Sequence, residues 1–325
     1  MSQALSPIPV QSVLEQVARL QDTLCPNCGG AKLRYHGQHG TMREGFVQWE
    51  EVTGRSLPYE MVSQYDLDEP YYLLECPHCS FLTFSPRMAG TTEYYEAVAD
   101  ASYYEGVKKE FRRAIEVLQK HEVSSLLEVG AGGGAFLQCL KEDFPSVDRF
   151  ACEKNPTTLE ALGGLAKVYD GFESLDRQFD AVCAFQLLEH LEAPFSFVDA
   201  CRGALKGGGH LLISVPDYSG PYRYYGNSWT EIPPHHLTRW SRHSLRALLA
   251  NRGFSCSHMI RIPLGASYFP TYVPLLWWLV LRALRLDKNL WLTEKGKRFP
   301  DWLREKGVKR LPFVPMTLLA VGQKN

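Results

Sequence analysis

The chain has 325 residues, more than a typical single domain, so we expect one large domain and a smaller module. Its 35 Lys and Arg against 36 Asp and Glu give a formal charge of −1, so we expect no nucleic-acid partner. The chain does not open on a basic region followed by an apolar run, and no uninterrupted apolar stretch reaches about 18 residues. The sequence therefore predicts a cytoplasmic protein.

Two cysteine pairs dominate the first part of the chain. After a short amphipathic helix predicted over residues 1–22, Cys25-Pro26-Asn27-Cys28 and Cys76-Pro77-His78-Cys79 form two Cys-x-x-Cys pairs that are 47 residues apart. Each such turn presents two thiolates, and two turns together close a tetrahedral site with no open position. We therefore predict a loop-rich module over residues 23–90 that binds one structural Zn²⁺ through Cys25, Cys28, Cys76 and Cys79. The alternative is four free thiols in exposed turns.

From residue 123 the pattern is one of strands alternating with helices. Linking helices are predicted over residues 91–122, and a larger domain over 123–325 with a helical insertion at 265–312. The strand-like runs are Ser125–Val129, Arg149–Glu153, Lys167–Asp170, Phe179–Phe185, His210–Val215, Cys256–Ile262 and Met316–Val321. Alternation of this kind is typical of βαβ units around a parallel sheet, so the predicted fold class is α/β.

A glycine-rich turn follows the first of these strands. It reads Glu128-Val129-Gly130-Ala131-Gly132-Gly133-Gly134, and it leads directly into a helix. Glycine lets the backbone turn tightly and approach a ligand closely. This spacing also satisfies a dinucleotide fingerprint, but Glu128 would repel a pyrophosphate and would attract an ammonium group. The carboxylate thus favours a ligand with a cationic end.

Several further motifs occur in an order that resembles a known family. They are Glu153 at the end of the second strand, Phe179-Asp180 leading to Leu188-Glu189-His190, Leu205-Lys206-Gly207-Gly208-Gly209, and His236-Leu237-Thr238-Arg239-Trp240-Ser241. With the glycine loop, they resemble the class I S-adenosylmethionine-dependent methyltransferases, in particular the ubiquinone-biosynthesis O-methyltransferase-like branch. Gly207 stands where that family usually has proline. The resemblance implies a Rossmann-like doubly wound sheet behind a small zinc-ribbon-like module.

The resemblance also implies the cofactor and the residues that hold it. S-adenosylmethionine would bind with its amino group near Glu128 and its methionine part along the glycine loop, while Glu153 would accept hydrogen bonds from the ribose. The implied cofactor residues are Glu128, Gly130, Gly132, Gly134, Glu153, Asp170, Gly171, Phe172 and Phe185. For Asp170 to Phe172 a simple turn is the competing interpretation.

Methyl transfer from a sulfonium needs alignment of the two reactants and, for some acceptors, removal of a proton. Histidine is the natural base near neutral pH. Three histidines follow predicted strand ends, namely His190, His235 and His236, and each is a candidate base; the alternative is that they only hydrogen-bond their loops. We expect an O- or C-directed reaction on a small-molecule or glycan/nucleotide-sugar acceptor. The competing function is that of a zinc-ribbon nucleic-acid-binding or scaffold protein whose cofactor-binding domain is inactive.

The predicted insertion combines an apolar, tryptophan-rich stretch with a basic tail. Between Arg282 and Arg310 there are ten Lys or Arg against four acids. A basic, apolar segment of this kind can lie on an anionic membrane surface. We favour the simpler expectation that it forms a lid or a homodimer helix, with peripheral membrane contact as the alternative.

Overall fold

The computed structural model describes residues 15, 18, 23–98, 108–220, 223, 228–263 and 315–325. The predicted helix over 1–22 falls almost entirely outside the described residues, and the predicted insertion over 265–312 does so completely. None of the helices in the described ranges combines the length and apolarity that crossing a bilayer requires.

The first part of the chain builds a small antiparallel sheet with helices beside it. Its elements in chain order are β1 (Arg34–Thr41), α1 (Met42–Thr53), α2 (Tyr59–Val62), β2 (Pro70–Glu75), β3 (Leu82–Ser85) and α3 (Thr92–Val98). Helix α1 begins at a capping box, in which the Thr41 and Glu44 side chains each bond the backbone N–H of the other residue. Regular elements thus form within the segment that was predicted to be loop-rich, because the four central residues of β2 are apolar and buried and α1 has an N-terminal cap.

The second part alternates strands and helices as predicted. Its elements are α4 (Lys109–Leu118), β4 (Ser125–Val129), α5 (Ala135–Asp143), β5 (Asp148–Cys152), α6 (Pro156–Leu162), β6 (Lys167–Tyr169), β7 (Phe179–Phe185), α7 (Pro194–Ala204), β8 (Leu205–Pro216), β9 (Thr238–Arg239), α8 (Arg242–Asn251), β10 (Phe254–Pro263) and β11 (Pro315–Lys324). Short 3-10 turns cover Phe172–Ser174, Leu188–His190 and Trp229–Glu231.

Seven of these strands form one twisted sheet in the order β10-β11-β8-β7-β4-β5-β6. Strand β11 is antiparallel to both of its neighbours, and the other neighbouring pairs are parallel. The chain leaves the central strand β4 towards β5 and β6, then crosses back to β7. That reversal opens a crevice at the carboxyl ends of β4 and β7, where doubly wound sheets bind their ligands. The predicted α/β fold is confirmed.

The smaller sheet has the order β1-β2-β3-β9, so its last strand comes from the second part of the chain. Leu82 pairs with Arg239 and Thr83 with Thr238, and the Phe84 N–H donates to the Leu237 carbonyl at 2.9 Å. Because β9 lies between β8 and α8 in the chain, the two sheets share a backbone segment. The front module, residues 23–98, is therefore joined to the second part of the chain by a strand pairing as well as by side-chain contacts.

Buried side chains cover both faces of the larger sheet. On one face, three phenylalanines pack against one another in edge-on or tilted orientations, with ring centroids between 4.6 and 5.6 Å apart: Phe111, Phe136 and Phe185. On the other face, Phe81 of the front module packs at 4.7 Å from Trp240. Burial of aromatic rings of this size contributes strongly to the hydrophobic stabilisation of the core.

Candidate active site and cysteine cluster

The glycine turn after β4 adopts a backbone conformation that only glycine takes readily. Gly130 has φ 71° and Gly134 has φ 77°, both in the left-handed region. A Cβ added to Gly130 would also come within 3.0 Å of the Leu187 side chain. The turn thus brings bare backbone to the mouth of the crevice and then starts α5 at Ala135.

Glu128 is the most unusual group at this turn. Only 3% of the residue is exposed, and its Oε2 atom has no hydrogen-bond partner among the described residues. Burial, and after it the charge of Glu153, raises the pKa of the Glu128 carboxyl well above its usual value. A buried acceptor without a partner costs free energy that a cationic ligand group would recover. The site therefore fits the ammonium end of the predicted cofactor.

Glu153 follows the end of β5, directly opposite the glycine turn. Its Oε2 accepts a hydrogen bond from the Gly132 N–H at 2.7 Å, and its Oε1 accepts from the Lys154 and Asn155 N–H groups, each at 2.8 Å. These three hydrogen bonds fix the position of the Glu153 carboxylate beside the glycine turn. The Oε2 atom keeps a second lone pair, so a ribose hydroxyl of the predicted cofactor can still donate a hydrogen bond to it.

A cleft of about 1280 Å³ lies between the front module and the carboxyl ends of the central strands. The predicted site residues that line it are Glu128, Gly130, Gly132, Glu153, Phe185, His190 and His236. Those that are outside its lining are Gly134, Asp170, Gly171, Phe172 and His235. The roles assigned to the residues in both groups stay predictions.

The three candidate histidines are brought into one cluster. His190 and His236 have ring centroids 4.7 Å apart, and His235 lies 4.9 Å from His190 and 5.0 Å from His236. The His190 Nδ1 atom is 2.6 Å from the His235 carbonyl oxygen. Because a carbonyl only accepts, Nδ1 carries the proton and the Nε2 lone pair of His190 is free to bind or to take a proton.

Burial shifts the pKa values of two of these histidines and of the neighbouring Glu189. Burial lowers the pKa of His190 well below its usual value, with the neighbouring His236 adding to the shift, and burial likewise lowers that of His235. Burial raises the pKa of the adjacent Glu189 carboxyl to about 7. His190 and His235 are therefore neutral at neutral pH.

Several functional candidates in the cleft were missed by sequence reasoning. They are Trp49, Arg55 and Tyr95 of the front module, together with Lys108, Gln186, Glu189 and Glu231. Glu231 is not adjacent in sequence to a histidine, yet its Oε2 lies 3.4 Å from the His236 Nδ1. The sequence offered a signal for Glu189, because that residue is adjacent to His190. It offered no signal for the three front-module residues.

The four predicted zinc ligands lie together as expected. The Cys25 and Cys79 sulfurs are 3.7 Å apart, and so are those of Cys28 and Cys76. A Zn–S bond of about 2.3 Å in tetrahedral geometry places sulfurs about 3.8 Å apart. The spacing of the sulfur atoms therefore fits one tetrahedral ion.

Backbone and side-chain N–H groups point at these sulfurs. The Gly30 N–H donates to the Cys28 sulfur at 3.4 Å, the Cys79 N–H to the Cys76 sulfur at 3.5 Å, and the Asn27 amide to the Cys79 sulfur at 3.4 Å. Such donors stabilise thiolates, the form that binds metal. The same Asn27 amide donates to the Ser244 carbonyl at 2.9 Å, so the first knuckle also contacts α8.

Comparison with known sequences gives one family match and a set of distant relatives. Residues 103–258 match the model of a methyltransferase domain. A ubiquinone biosynthesis O-methyltransferase of Xylella fastidiosa is 29% identical over 100 residues, which is 28% of this chain and 41% of that protein. One of Vibrio atlanticus is 28% identical over 112 residues, or 30% and 47%. The chain spans less than half the length of these curated relatives.

Two solved structures show a partial likeness. A SAM-dependent methyltransferase from Archaeoglobus fulgidus superposes with a TM-score of 0.44 at 19% identity, over 69% of this chain and 100% of that one. A mycolic acid cyclopropane synthase in complex with SAH gives 0.42 at 18% identity, over 66% and 84%.

Proposed function

We propose that this chain is a class I S-adenosylmethionine-dependent methyltransferase that transfers a methyl group to a small-molecule acceptor bound in the cleft. The observation that carries the proposal is the buried Glu128 carboxylate beside the glycine turn, whose Oε2 has no hydrogen-bond partner in the described part of the chain. It lies where the central strand of a doubly wound sheet meets its ligand crevice. A nicotinamide pyrophosphate would be repelled from this position.

The cofactor residues follow from this placement. When bound, the cofactor supplies an activated methyl group on a sulfonium. Glu128 accepts from the amino group, the backbone at Gly130 and Gly132 lies along the methionine part, and Glu153 accepts from the ribose. The protein's main contribution is alignment of donor and acceptor, which can be worth about 7–11 kcal/mol.

Proton removal from the acceptor falls to the histidine cluster. His190 and His236 line the cleft, whereas His235 does not. His190 keeps a free Nε2 lone pair because its Nδ1 hydrogen goes to the His235 carbonyl. His236 has Glu231 beside its Nδ1, and the carboxylate would stabilise the imidazolium that forms. We therefore assign the role of base to His190 or His236 and a supporting role to His235.

The walls of the cleft favour an acceptor with an apolar face and several hydroxyl groups. Trp49, Trp229 and Tyr95 supply flat aromatic surface, and Glu189 supplies two buried carboxylate oxygens that lack donors among the described residues. Sugar rings carry both features, since their C–H faces pack on aromatic rings and their hydroxyls donate to carboxylates. This combination supports a glycan or nucleotide-sugar acceptor that is methylated on oxygen or carbon.

The cysteine cluster completes the proposal with one structural Zn²⁺. Four sulfurs leave no open position on the ion, so it takes no part in the chemistry. Its role is to hold the front module, which forms the outer wall of the cleft. Metal analysis of the purified protein should find bound zinc, and one equivalent per chain should be lost when Cys76 and Cys79 are replaced by serine.

Calorimetry with S-adenosylhomocysteine and with NAD tests the cofactor assignment. We expect binding of the first ligand only, weakened about 10–100-fold by Glu128→Ala, because a charge-assisted hydrogen bond is lost. The matched control is Glu142→Ala, an exposed glutamate on α5 that is outside the lining of the cleft. Binding of NAD alone would overturn the assignment. Screening metabolites with a labelled methyl donor would then identify the acceptor.

A further inference from the structure

The histidine cluster has the composition of a metal site. His190, His235 and His236 each bring one ring nitrogen within 4.8 Å of the nitrogens of the other two. His235 and His236 are buried, and His190 is half-buried at the edge of the cleft. Three imidazoles packed this closely can each bring one ring nitrogen to the same small volume. Neutral imidazole is the ligand form that transition metal ions bind.

Each of the three rings has its Nδ1 atom next to an outer partner. The His190 Nδ1 lies 2.6 Å from the His235 carbonyl, the His236 Nδ1 lies 3.4 Å from Glu231, and the His235 Nδ1 lies 3.4 Å from the Tyr94 hydroxyl. Metal-binding histidines are usually oriented by such partners, which leave the other ring nitrogen for the ion. This arrangement favours the three Nε2 atoms as ligands.

A carboxylate beside the cluster gives independent support. Glu189 is only 1% exposed, and neither of its oxygens has a hydrogen-bond partner within the described ranges. Its Oε1 lies 3.9 Å from the His190 Nε2. A buried carboxylate is normally paired or bound to a metal, because an unpaired one loses its hydration without compensation. A cation between Glu189 and the imidazoles would satisfy it.

We propose that His190, His235 and His236, together with Glu189, bind one divalent transition metal ion. Imidazole-rich sites favour ions such as Zn²⁺, Co²⁺ or Ni²⁺ over Mg²⁺, which prefers oxygen ligands. Nitrogens bound to one tetrahedral ion lie about 3.3 Å apart, so the rings need to close by no more than about 1.5 Å. This site is separate from the cysteine cluster and uses none of its ligands.

The role of the ion rests on the proposed function, whereas its binding does not. Two of the ligands, His190 and His236, line the cleft that receives the acceptor. An acceptor hydroxyl bound to the ion would lose its proton more readily, because the positive charge stabilises the alkoxide. In the metal-free protein the same imidazoles take that proton directly, as proposed above.

Cobalt titration of the full chain, with its cysteine cluster already loaded with zinc, tests the proposal. We expect one equivalent of Co²⁺ to bind with visible d–d absorption and without the near-ultraviolet band that thiolate ligands produce. His236→Ala and Glu189→Gln should each weaken this binding at least tenfold. His243→Ala, which removes an exposed histidine on α8, should bind Co²⁺ like the wild type.

Each variant is also titrated with S-adenosylhomocysteine, because unchanged affinity shows that the fold and the cofactor site are intact. The metal proposal is overturned if the wild type takes up no Co²⁺ beyond the cysteine cluster, or if His236→Ala binds it as tightly as the wild type. Either result would leave the methyltransferase assignment standing. Loss of S-adenosylhomocysteine binding by the wild type would instead overturn that assignment and leave the metal result intact.

Discussion

At the scale of single residues, the strongest signal of function is a group that lowers the stability of the ligand-free protein. Glu128 has a folded-state pKa above its ordinary value of 4.5 because it is buried. Between these two values the folded state binds more protons than the unfolded state, so stability falls as pH rises through that window. A residue that persists at such a cost is expected to serve a ligand.

Glu128→Gln should therefore stabilise the ligand-free protein while weakening cofactor binding. Removal of the buried charge should raise the free energy of unfolding by about 1–3 kcal/mol at pH 8, and the gain should shrink as the pH approaches 4.5. Chemical denaturation at several pH values measures this gain. A variant that is less stable than the wild type at pH 8 would show that the carboxylate has a partner in solution.

Sequence reasoning found the cofactor side of the site but only part of the acceptor side. Glu128 and Glu153 follow strand ends, and strand ends can be read from a run of apolar residues. Glu231 and Tyr95 reach the cleft from a 3-10 turn and from a front-module helix. Their position depends on how two parts of the chain pack together, which periodicity does not encode.

At the scale of elements, sequence reasoning again found what local patterns determine and missed what depends on packing between parts of the chain. The seven strands of the larger sheet were predicted because each is an apolar run between helical segments. Strand β9 was missed because it has only two residues, and it is a strand only through its pairing with β3. Helix α1 was missed because its glycine and polar residues obscure a weak apolar periodicity.

Asp180 links the starts of three central strands. It accepts hydrogen bonds from the backbone and hydroxyl groups of Ser124 and Ser125 at 2.8–3.1 Å, and from the Lys206 ammonium at 2.6 Å. Burial alone would raise the pKa of Asp180, but these donors together outweigh burial and lower it. Its stabilising effect is therefore present above the unfolded pKa of 3.8 and is lost as pH falls through the folded value.

Asp180→Asn should lower the free energy of unfolding by about 2 kcal/mol at pH 7, because the charge-assisted bonds are lost. The control is Asp199→Asn, which breaks a more exposed pair with Arg252 at 2.8 Å and should cost less than about 1 kcal/mol. Urea denaturation at pH 7 compares the two variants. Equal losses for both would show that the bonds to Asp180 contribute no more than a surface ion pair.

The two cysteine knuckles end in the same backbone conformation but in different residues. Gly29 has φ 63° after the first pair, and Ser80 has φ 56° after the second. A left-handed conformation costs a residue with a Cβ about 1 kcal/mol. Ser80→Gly should therefore raise stability by up to about 1 kcal/mol, and Gly29→Ala should lower it by a similar amount. Thermal unfolding of the metal-loaded protein measures both. A Ser80→Gly variant that is less stable than the wild type would contradict the strain assigned to Ser80.

At the scale of the whole molecule, one buried cation joins the front module to the wall of the cleft. Arg239 is 2% exposed, and its guanidinium lies 4.8 Å from the Phe84 ring centre and 4.7 Å from that of Tyr218. It donates to the Gln38 side chain at 2.7 Å and to the Glu231 backbone carbonyl at 2.5 Å. The front module thereby contacts the segment that carries His235 and His236.

Arg239→Ala should loosen the acceptor side of the cleft and leave the cofactor side unchanged. Loss of these hydrogen bonds should increase hydrogen exchange of the residue 229–240 backbone at least tenfold, because local opening there becomes less costly. S-adenosylhomocysteine affinity should change less than twofold, since Glu128 and Glu153 have no contact with Arg239. Arg246→Ala, an exposed arginine on α8, serves as the control and should change neither quantity. Unaltered exchange over residues 229–240 would show that strand pairing through β9 is sufficient to hold this wall, and the role assigned to Arg239 would then be wrong.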